Sequence, residues 1–178
     1  MLPNLSFVLG GAASGKSDFA ETLLNDQGPG RRIYAATAQA FDDEMRVKIA
    51  AHRAARGDGW LTIETPLDLS PAFDAAGPGD AILLDCATLW LSNHMLNDAD
   101  LEGKTDGLAA LLAGAPCPVV VVSNEVGQGI VPDNALARRF RNAQGRLNRR
   151  LASAADLVVL ITAGLPRVLK GRMPTGAA

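Results

Sequence analysis

The stretch that decides the fold is a glycine-rich segment near the start of the chain, Gly10-Gly11-Ala12-Ala13-Ser14-Gly15-Lys16-Ser17. It fits the phosphate-binding pattern G-x-x-x-x-G-K-[ST] and directly follows the apolar run at residues 5–9. Residues 17–24 then have the spacing of an amphipathic helix, which argues against a chance match in an unrelated loop. Such a turn gathers backbone N–H groups and a positive helix end around a polyphosphate. The segment predicts a nucleoside triphosphate site, with Lys16 on the outer phosphates and the Ser17 hydroxyl as a Mg²⁺ ligand.

Apolar runs bounded by turn residues alternate with helical patterns along the chain. The runs predict strands at residues 5–9, 33–36, 61–64, 81–85, 119–123 and 157–162. The helical patterns fall at residues 16–24, 43–56, 67–75, 89–96, 107–112 and 134–154. This alternation predicts an α/β fold, a mostly parallel sheet with helices on both faces. With the phosphate-binding loop it indicates a single P-loop, RecA-like domain over residues 1–170, and residues 171–178 are expected to be a flexible tail.

Polar residues at the carboxyl ends of the predicted strands carry the most functional information, because ligands of such sheets bind there. They are Thr37-Ala38-Gln39, Glu64, Asp85 and Asn124-Glu125. Asp85 ends an apolar strand and is the candidate for a second Mg²⁺ ligand beside the β and γ phosphates. An aspartate that only opens a turn is the alternative.

The predicted helix at residues 43–56 is the second informative segment. Its acidic residues crowd the first turn and its basic residues the last, as the helix dipole favours. Cationic neighbours disfavour a protonated imidazole, so His52, followed by Arg53 and Arg56, is expected to be neutral and able to attack phosphorus. The two arginines are candidate clamps for phosphate oxygens. A histidine packed in the core is the alternative.

Composition and charge argue against several other classes of protein, such as nucleic-acid-binding and membrane proteins. A formal net charge of −2 argues against a nucleic-acid partner. The arginine-rich run at residues 138–150 is therefore interpreted as a solvated or subunit-facing helix. No signal peptide and no apolar run approaching the ~18 residues of a membrane span is recognised, so a cytoplasmic location is expected. Cys86 and Cys117 are interpreted as buried thiols, and His94 as a helix-end residue.

Together these segments resemble the bifunctional adenosylcobinamide kinase/adenosylcobinamide-phosphate guanylyltransferase family of cobalamin biosynthesis. Beyond the phosphate-binding loop, the resemblance rests on residues 34–38, 42–45, 52–56, 84–88, 123–132 and 136–156, and it covers nearly the whole chain. The segments His52-Arg53-Ala54-Ala55-Arg56 and Asn124-Glu125-Val126-Gly127 are its most specific parts. Two departures are Ala13, where the family often has arginine, and the connection at residues 97–115, which looks short for the family.

The resemblance implies a two-step enzyme. The family phosphorylates the hydroxyl of the aminopropanol arm of adenosylcobinamide with ATP or GTP. It then transfers GMP from GTP to that phosphate through a GMP-histidine intermediate, which corresponds to His52 here. The family's nucleotide contacts correspond to Gly10 through Ser17, Thr37, Ala38, Gln39, Arg53, Ala54, Ala55, Arg56, Glu64 and Asp85. The resemblance also implies a corrinoid substrate and a homo-oligomer, usually a trimer.

Two other functions fit parts of the pattern. A small-molecule kinase would use the same loop and keep His52 as a structural residue. A GTP-dependent switch would bind nucleotide without turning over a small substrate, but the guanine motif Asn-Lys-x-Asp is absent, and the nearest candidate is the segment at residues 124–127.

Overall fold

The computed structural model describes residues 2–25, 30–39, 47 and 59–174. Its strands are β1 Leu5–Gly10, β2 Arg32–Ala36, β3 Trp60–Glu64, β4 Ala81–Asp85, β5 Val119–Asn124, β6 Leu157–Thr162 and β7 Leu165–Lys170. Its helices are α1 Lys16–Asn25, α2 Ser70–Asp74, α3 Ala87–Leu96, α4 Leu101–Ala113 and α5 Ala135–Ala154. Apart from residue 47, the helix predicted at residues 43–56 lies outside the described residues.

The strands form one sheet in the order β3-β2-β4-β5-β1-β6-β7. Neighbours from β3 to β6 run parallel, and β7 pairs antiparallel with β6. The predicted mostly parallel sheet is confirmed. Strand β5 separates β1, which leads into the phosphate-binding loop, from β4, which ends in Asp85.

Alternating side chains of the central strands enter two separate apolar layers. In β5, Val119 and Val121 belong to one layer, and Val120 and Val122 to the other. Helices α2 to α5 cover the first layer, and α1 covers the second. Each fully buried Val or Leu contributes about 1.5–3 kcal/mol, so burial on both faces explains the continuous apolar runs. Helices on both faces are confirmed. No helix in the described ranges is long and apolar enough to cross a bilayer.

Strand β7 is the main element that the sequence reading missed. It follows β6 through a two-residue turn in which Ala163 and Gly164 have φ of 51° and 78°. Two successive positive φ values are typical of the tight turn that joins antiparallel strands. The strand carries Pro166 and lies at the sheet edge, where a residue without an N–H is tolerated. Beyond it, Met173 packs partly buried against the layer under α1.

Three predicted helices differ from the observed ones. Helix α4 begins at Leu101, six residues before the predicted start, because Asp100 caps it by accepting from Glu102 N–H at 3.1 Å. Helix α2 is limited to five residues and has Pro71 in its first turn, which disfavours helix before it. In α5 the buried face includes the polar residues Gln144 and Asn148, whereas Leu136 near its start is half exposed.

Candidate active site

The phosphate-binding loop leaves β1 and turns directly into α1. Ala13 and Gly15 have φ of 52° and 87°, and the first helical bond runs from Phe19 N–H to Gly15 O at 3.0 Å. Lys16 is 9% exposed, and its Nζ donates to Gly11 O at 3.0 Å. Residues Gly11 through Ala13 are exposed. The loop therefore offers accessible amide groups and a sheltered ammonium, the combination that binds a polyphosphate.

Neighbouring strands hold this loop from both sides. On the β6 side, Gly164 N–H donates to Ser14 O at 2.8 Å. On the β5 side, Glu125 N–H donates to Gly10 O at 2.9 Å. Gly10 has no room for a side chain, since a Cβ there would lie 2.5 Å from Ser14 Oγ and 2.7 Å from Ile161 O. The hairpin turn before β7 is thus part of the support of the loop.

The strand register places the predicted rim residues along one edge of the sheet. Ala36 pairs with both Glu64 and Asp85, and Gly10 pairs with Asn124. Glu64 is exposed at the outer end of this edge, and Asp85 is half-buried near its middle. The prediction that these groups share the rim of the phosphate-binding loop is confirmed.

Asp85 is positioned by hydrogen bonding and lies close to the loop. The Tyr34 hydroxyl donates to its Oδ2 at 3.0 Å. Burial raises the pKa of the adjacent Cys86 thiol to about 11, and the charge of Asp85 adds to this rise while Lys16 opposes it. Strand β4, which ends in Asp85, and strand β1, which leads into the loop with Lys16, are the two neighbours of β5 in the sheet. The acid and the phosphate-binding loop therefore lie on the same edge of the sheet, one strand apart.

Thr37 ties the end of β2 to the residues that follow β4. Its fully buried hydroxyl accepts from Cys86 N–H and donates to Cys86 O, both at 2.8 Å. Its N–H donates to Asp85 O at 3.2 Å, and its carbonyl accepts from Asn93 Nδ2 at 2.9 Å. Because these polar atoms are used within the protein, Thr37 positions Asp85. A direct nucleotide contact stays a prediction for Thr37 and for Ala38 and Gln39, which are half-buried beside it.

Comparison with known proteins decides the family. Residues 6–169 match the family described as cobinamide kinase / cobinamide phosphate guanyltransferase.

The chain belongs to this family. It is 43% identical over 167 residues to the bifunctional adenosylcobalamin biosynthesis protein CobP of Pseudomonas aeruginosa, covering 92% of this chain and 96% of that one. It is 42% identical over 174 residues to the bifunctional adenosylcobalamin biosynthesis protein CobU of Salmonella typhimurium, covering 89% and 95%. The predicted family and its transferase activity are confirmed, and the non-enzymatic switch is not supported.

Solved structures support the fold alone. The flagellar accessory protein FlaH of Methanocaldococcus jannaschii is similar with a TM-score of 0.51 at 13% identity, covering 97% of this chain and 81% of that one. A prototypical ATPase of the type III secretion system of pathogenic bacteria is similar with a TM-score of 0.55 at 11% identity, covering 94% and 57%. The RecA-like α/β class predicted for this family member is confirmed.

The donor set of the rim fits Mg²⁺. Ser17, half-buried at the start of α1, and Asp85 supply hard oxygen atoms, and Mg²⁺ is usually held by one or two such groups together with substrate phosphates. The described part of the chain has no cluster of three or more His, Cys, Asp or Glu that would form an all-protein metal cage. The nucleotide-dependent chemistry of the family matches this arrangement. The residues expected to carry the guanylyl group, His52 and Arg53 to Arg56, lie outside the described ranges and stay predictions.

Three residues outside the predicted nucleotide contacts behave as the sequence indicated. Cys86 and Cys117 are free, buried thiols, as predicted. His94 lies in the last turn of α3, where burial lowers its pKa and its Nε2 is 3.2 Å from Leu67 O. It borders a cavity of about 540 Å³ between α2, α3 and α4, and no predicted nucleotide contact in the described ranges lines that cavity.

Sequence reasoning missed Tyr34 and the buried polar residues behind Asn124. Tyr34 stands on the same strand face as Asp85, but the pairing of β2 with β4 skips β3 and cannot be read from chain order. The polar residues Gln144 and Asn148 carried a usable signal, because they fall four apart on the otherwise apolar face of α5. That spacing predicts that both side chains meet the same neighbours.

Proposed function

We propose that this chain phosphorylates the aminopropanol hydroxyl of adenosylcobinamide with ATP or GTP, and then transfers GMP from GTP to the new phosphate through a GMP-His52 intermediate. The observation that carries the proposal is the match of residues 6–169 to the cobinamide kinase / cobinamide phosphate guanyltransferase family, together with a complete phosphate-binding loop on the same sheet edge as Asp85. The chemistry needs positioned phosphates and fixed positive charge more than it needs other side chains.

In the kinase step, the substrate hydroxyl oxygen attacks the γ-phosphorus. The bond to the β–γ bridging oxygen breaks, the nucleoside diphosphate leaves and the hydroxyl proton is released. The amides of Gly11 to Ala13 and the Lys16 ammonium bind the phosphate oxygens and stabilise the charge on the leaving diphosphate. Ser17 and Asp85 are the residues that would hold Mg²⁺, which would supply further positive charge to the phosphates.

In the guanylyl step, a ring nitrogen of His52 attacks the α-phosphorus of GTP. An N–P bond forms while the bond from the α-phosphorus to the bridging oxygen breaks, and pyrophosphate leaves. A phosphate oxygen of adenosylcobinamide-phosphate then attacks the same phosphorus, which releases the imidazole and gives adenosylcobinamide-GDP. Arg53 and Arg56 are the proposed clamps on the phosphates. The exposed carboxylate of Glu64 is the proposed acceptor for the N–H groups of guanine.

The proposal extends to partners and location. Its substrate is a corrinoid, it has no nucleic-acid partner, and it acts in the cytoplasm, where ATP and GTP are supplied. We also propose a homo-oligomer, a trimer, formed by the domain at residues 1–170. Ile130, Val131 and Leu136 support a protein contact, because they are 96%, 63% and 52% exposed and close in sequence.

The test replaces His52 and follows the two half-reactions separately. In His52→Asn, retention of ³²P from α-labelled GTP on denatured protein and guanylyl transfer should fall by at least about 10³-fold, because the nucleophile is gone. Triphosphate binding and the kinase step should remain. The matched control is His94→Asn, since His94 is the only other histidine of the chain. Labelling that persists in His52→Asn, or that disappears only in His94→Asn, would contradict the covalent route.

A further inference from the structure

Four polar side chains form a buried network between helices α3 and α5. They are Thr88 on α3, Ser123 on β5, and Gln144 and Asn148 on α5, each no more than 7% exposed. We call them the α3–α5 polar network. It interrupts the apolar layer that covers this face of the sheet.

The hydrogen bonds inside the network all meet at Ser123 or Asn148. Ser123 Oγ donates to Asn148 Oδ1 at 2.8 Å and lies 3.2 Å from Thr88 Oγ1. Gln144 Nε2 donates to Ser123 Oγ at 2.9 Å and to Asn148 Oδ1 at 2.8 Å. The side chains are therefore fixed to one another, and each helix is tied to the end of β5.

Both ends of the network bind the backbone of Asn124. Asn124 N–H donates to Thr88 Oγ1 at 2.7 Å, and Asn148 Nδ2 donates to Asn124 O at 3.0 Å. The next residue, Glu125, donates its N–H to Gly10 O at 2.9 Å. The network is thus connected through two consecutive residues to the first glycine of the phosphate-binding loop.

Stability alone gives little reason for this arrangement. Replacing both partners of a buried hydrogen bond by apolar groups of the same shape is often nearly neutral, so an apolar interface would hold α3 and α5 as well. The network leaves one of its own polar atoms, Gln144 Oε1, buried without a hydrogen-bond partner. Each such atom costs about 1–3 kcal/mol. Asn124 Oδ1 and Ser14 Oγ are also buried and unpartnered, and both belong to residues beside Gly10, one paired with it across the sheet and the other next to it in the loop.

We propose that the α3–α5 polar network positions Asn124 for phosphoryl transfer. It holds Asn124 against Gly10, so that the Asn124 carboxamide can form a hydrogen bond in the site when nucleotide is bound. The proposal rests on the proposed function, because the kinase step is the reaction that it serves. The loop amides and Lys16 bind triphosphate without the network. A displaced Asn124 therefore affects the geometry of transfer more than nucleotide binding. A misplacement of about 1 Å can cost about 10²-fold in rate.

The decisive comparison is between Thr88→Val and Thr88→Ser in the full chain. Valine removes the acceptor for Asn124 N–H at nearly unchanged volume, and serine keeps the oxygen but loses a methyl group. In Thr88→Val, kcat of the kinase step should fall about 10–100-fold, while KM for ATP changes by less than about threefold. Thr88→Ser should keep kcat within about threefold, even where its Tm falls as far as that of Thr88→Val.

Asn148→Asp tests the other end of the network. It keeps the acceptor for Ser123 and Gln144 but removes the donor to Asn124 O, so it should lower kcat in the same way as Thr88→Val. The matched control is Asn142→Asp, an exposed asparagine on the same helix, which should leave both kcat and Tm unchanged. A normal kcat in Thr88→Val and Asn148→Asp, or a kcat that follows Tm in all variants, overturns the proposal.

A readout without substrate separates this proposal from the proposed function. Hydrogen exchange at the Glu125 amide should be faster in Thr88→Val and Asn148→Asp than in the wild type, and unchanged in Thr88→Ser. If the wild type fails to phosphorylate cobinamide, the proposed function fails, and exchange still decides whether the network holds this turn. Unchanged exchange in all variants overturns the positioning role.

Discussion

The phosphate-binding loop and the outer rim, which we define as Thr37, Asp85 and Asn124, lie on the same edge of the sheet but are assembled in different ways. In the loop, Lys16 bonds to Gly11 five residues away, and the helix begins with a bond from Phe19 to Gly15. In the outer rim, Thr37 bonds to Cys86 across 49 residues, and Asn93 bonds to Thr37 across 56. The loop is therefore a local structure, and the outer rim exists only in the assembled fold.

This difference separates two roles: the loop binds the triphosphate, and the outer rim positions the side chains of Asp85 and Asn124. The loop presents amides and one ammonium, which are arranged for a triphosphate mainly by local backbone geometry, while β5 and the turn after β6 support it. The outer rim places a carboxylate and a carboxamide, and its geometry depends on side chains from β2, α3 and α5. Substitutions in the loop should therefore weaken nucleotide binding and both reactions, whereas substitutions in the rim should act through placement.

The largest effect is expected from Lys16→Met. Methionine fills the space of the apolar stem but removes the charge that Lys16 brings to the outer phosphates. Removing one such group costs about 10²–10³-fold in catalysis, so kcat/KM of both half-reactions should fall by about that factor. Steady-state assays of each step measure it, and Lys104→Met, at an exposed position on α4, is the control. A loss below about tenfold would mean that the loop is not the triphosphate site.

An intermediate effect is expected from Gly10→Ala, at the point where the loop packs against β6. The new Cβ would lie 2.7 Å from the backbone carbonyl of Ile161, so the backbone must shift. Overpacking of this kind costs about 1–3 kcal/mol in the free energy of unfolding, which urea denaturation measures. Gly11→Ala is the matched control, because its Cβ meets nothing within 4 Å. Equal stability of the two variants would show that the loop is not held by β6.

The smallest effect is expected from Thr37→Val in the outer rim. It leaves the buried Cys86 N–H without its partner, which should lower the free energy of unfolding by about 1–2 kcal/mol. Because the hydroxyl fixes the backbone of Cys86, directly after Asp85, kcat should also fall while nucleotide affinity is kept. Thr37→Ser retains the hydroxyl and should restore kcat, and a nucleotide titration run beside the kinetics checks affinity. A change in affinity alone would make Thr37 a binding residue instead.

The elements that depend on local spacing were predicted more accurately than those that depend on tertiary contacts. The strand, loop and helix from β1 to α1 were predicted to within a residue, because glycine placement and apolar spacing act over a few residues. Helix α4 was predicted too short, since its glycines at residues 103 and 107 lower helix propensity while Asp100 and tertiary packing restore it. Strand β7 is fully exposed and carries no buried pattern, so only its turn residues could have indicated it.

The amino-acid sequence by itself determined that the chain binds a nucleoside triphosphate, that it forms a mostly parallel sheet covered on both faces, and which family it resembles. Those properties depend on short-range residue spacing and on apolar runs, which can be recognised in the sequence without knowing which strands lie side by side. Only the tertiary structure decided that β2 lies beside β4, that Tyr34 meets Asp85, and that Asn148 of α5 bonds to Asn124. The physical reason is that hydrogen bonds between distant residues require the strand order, and the strand order is set by how the whole sheet buries its faces.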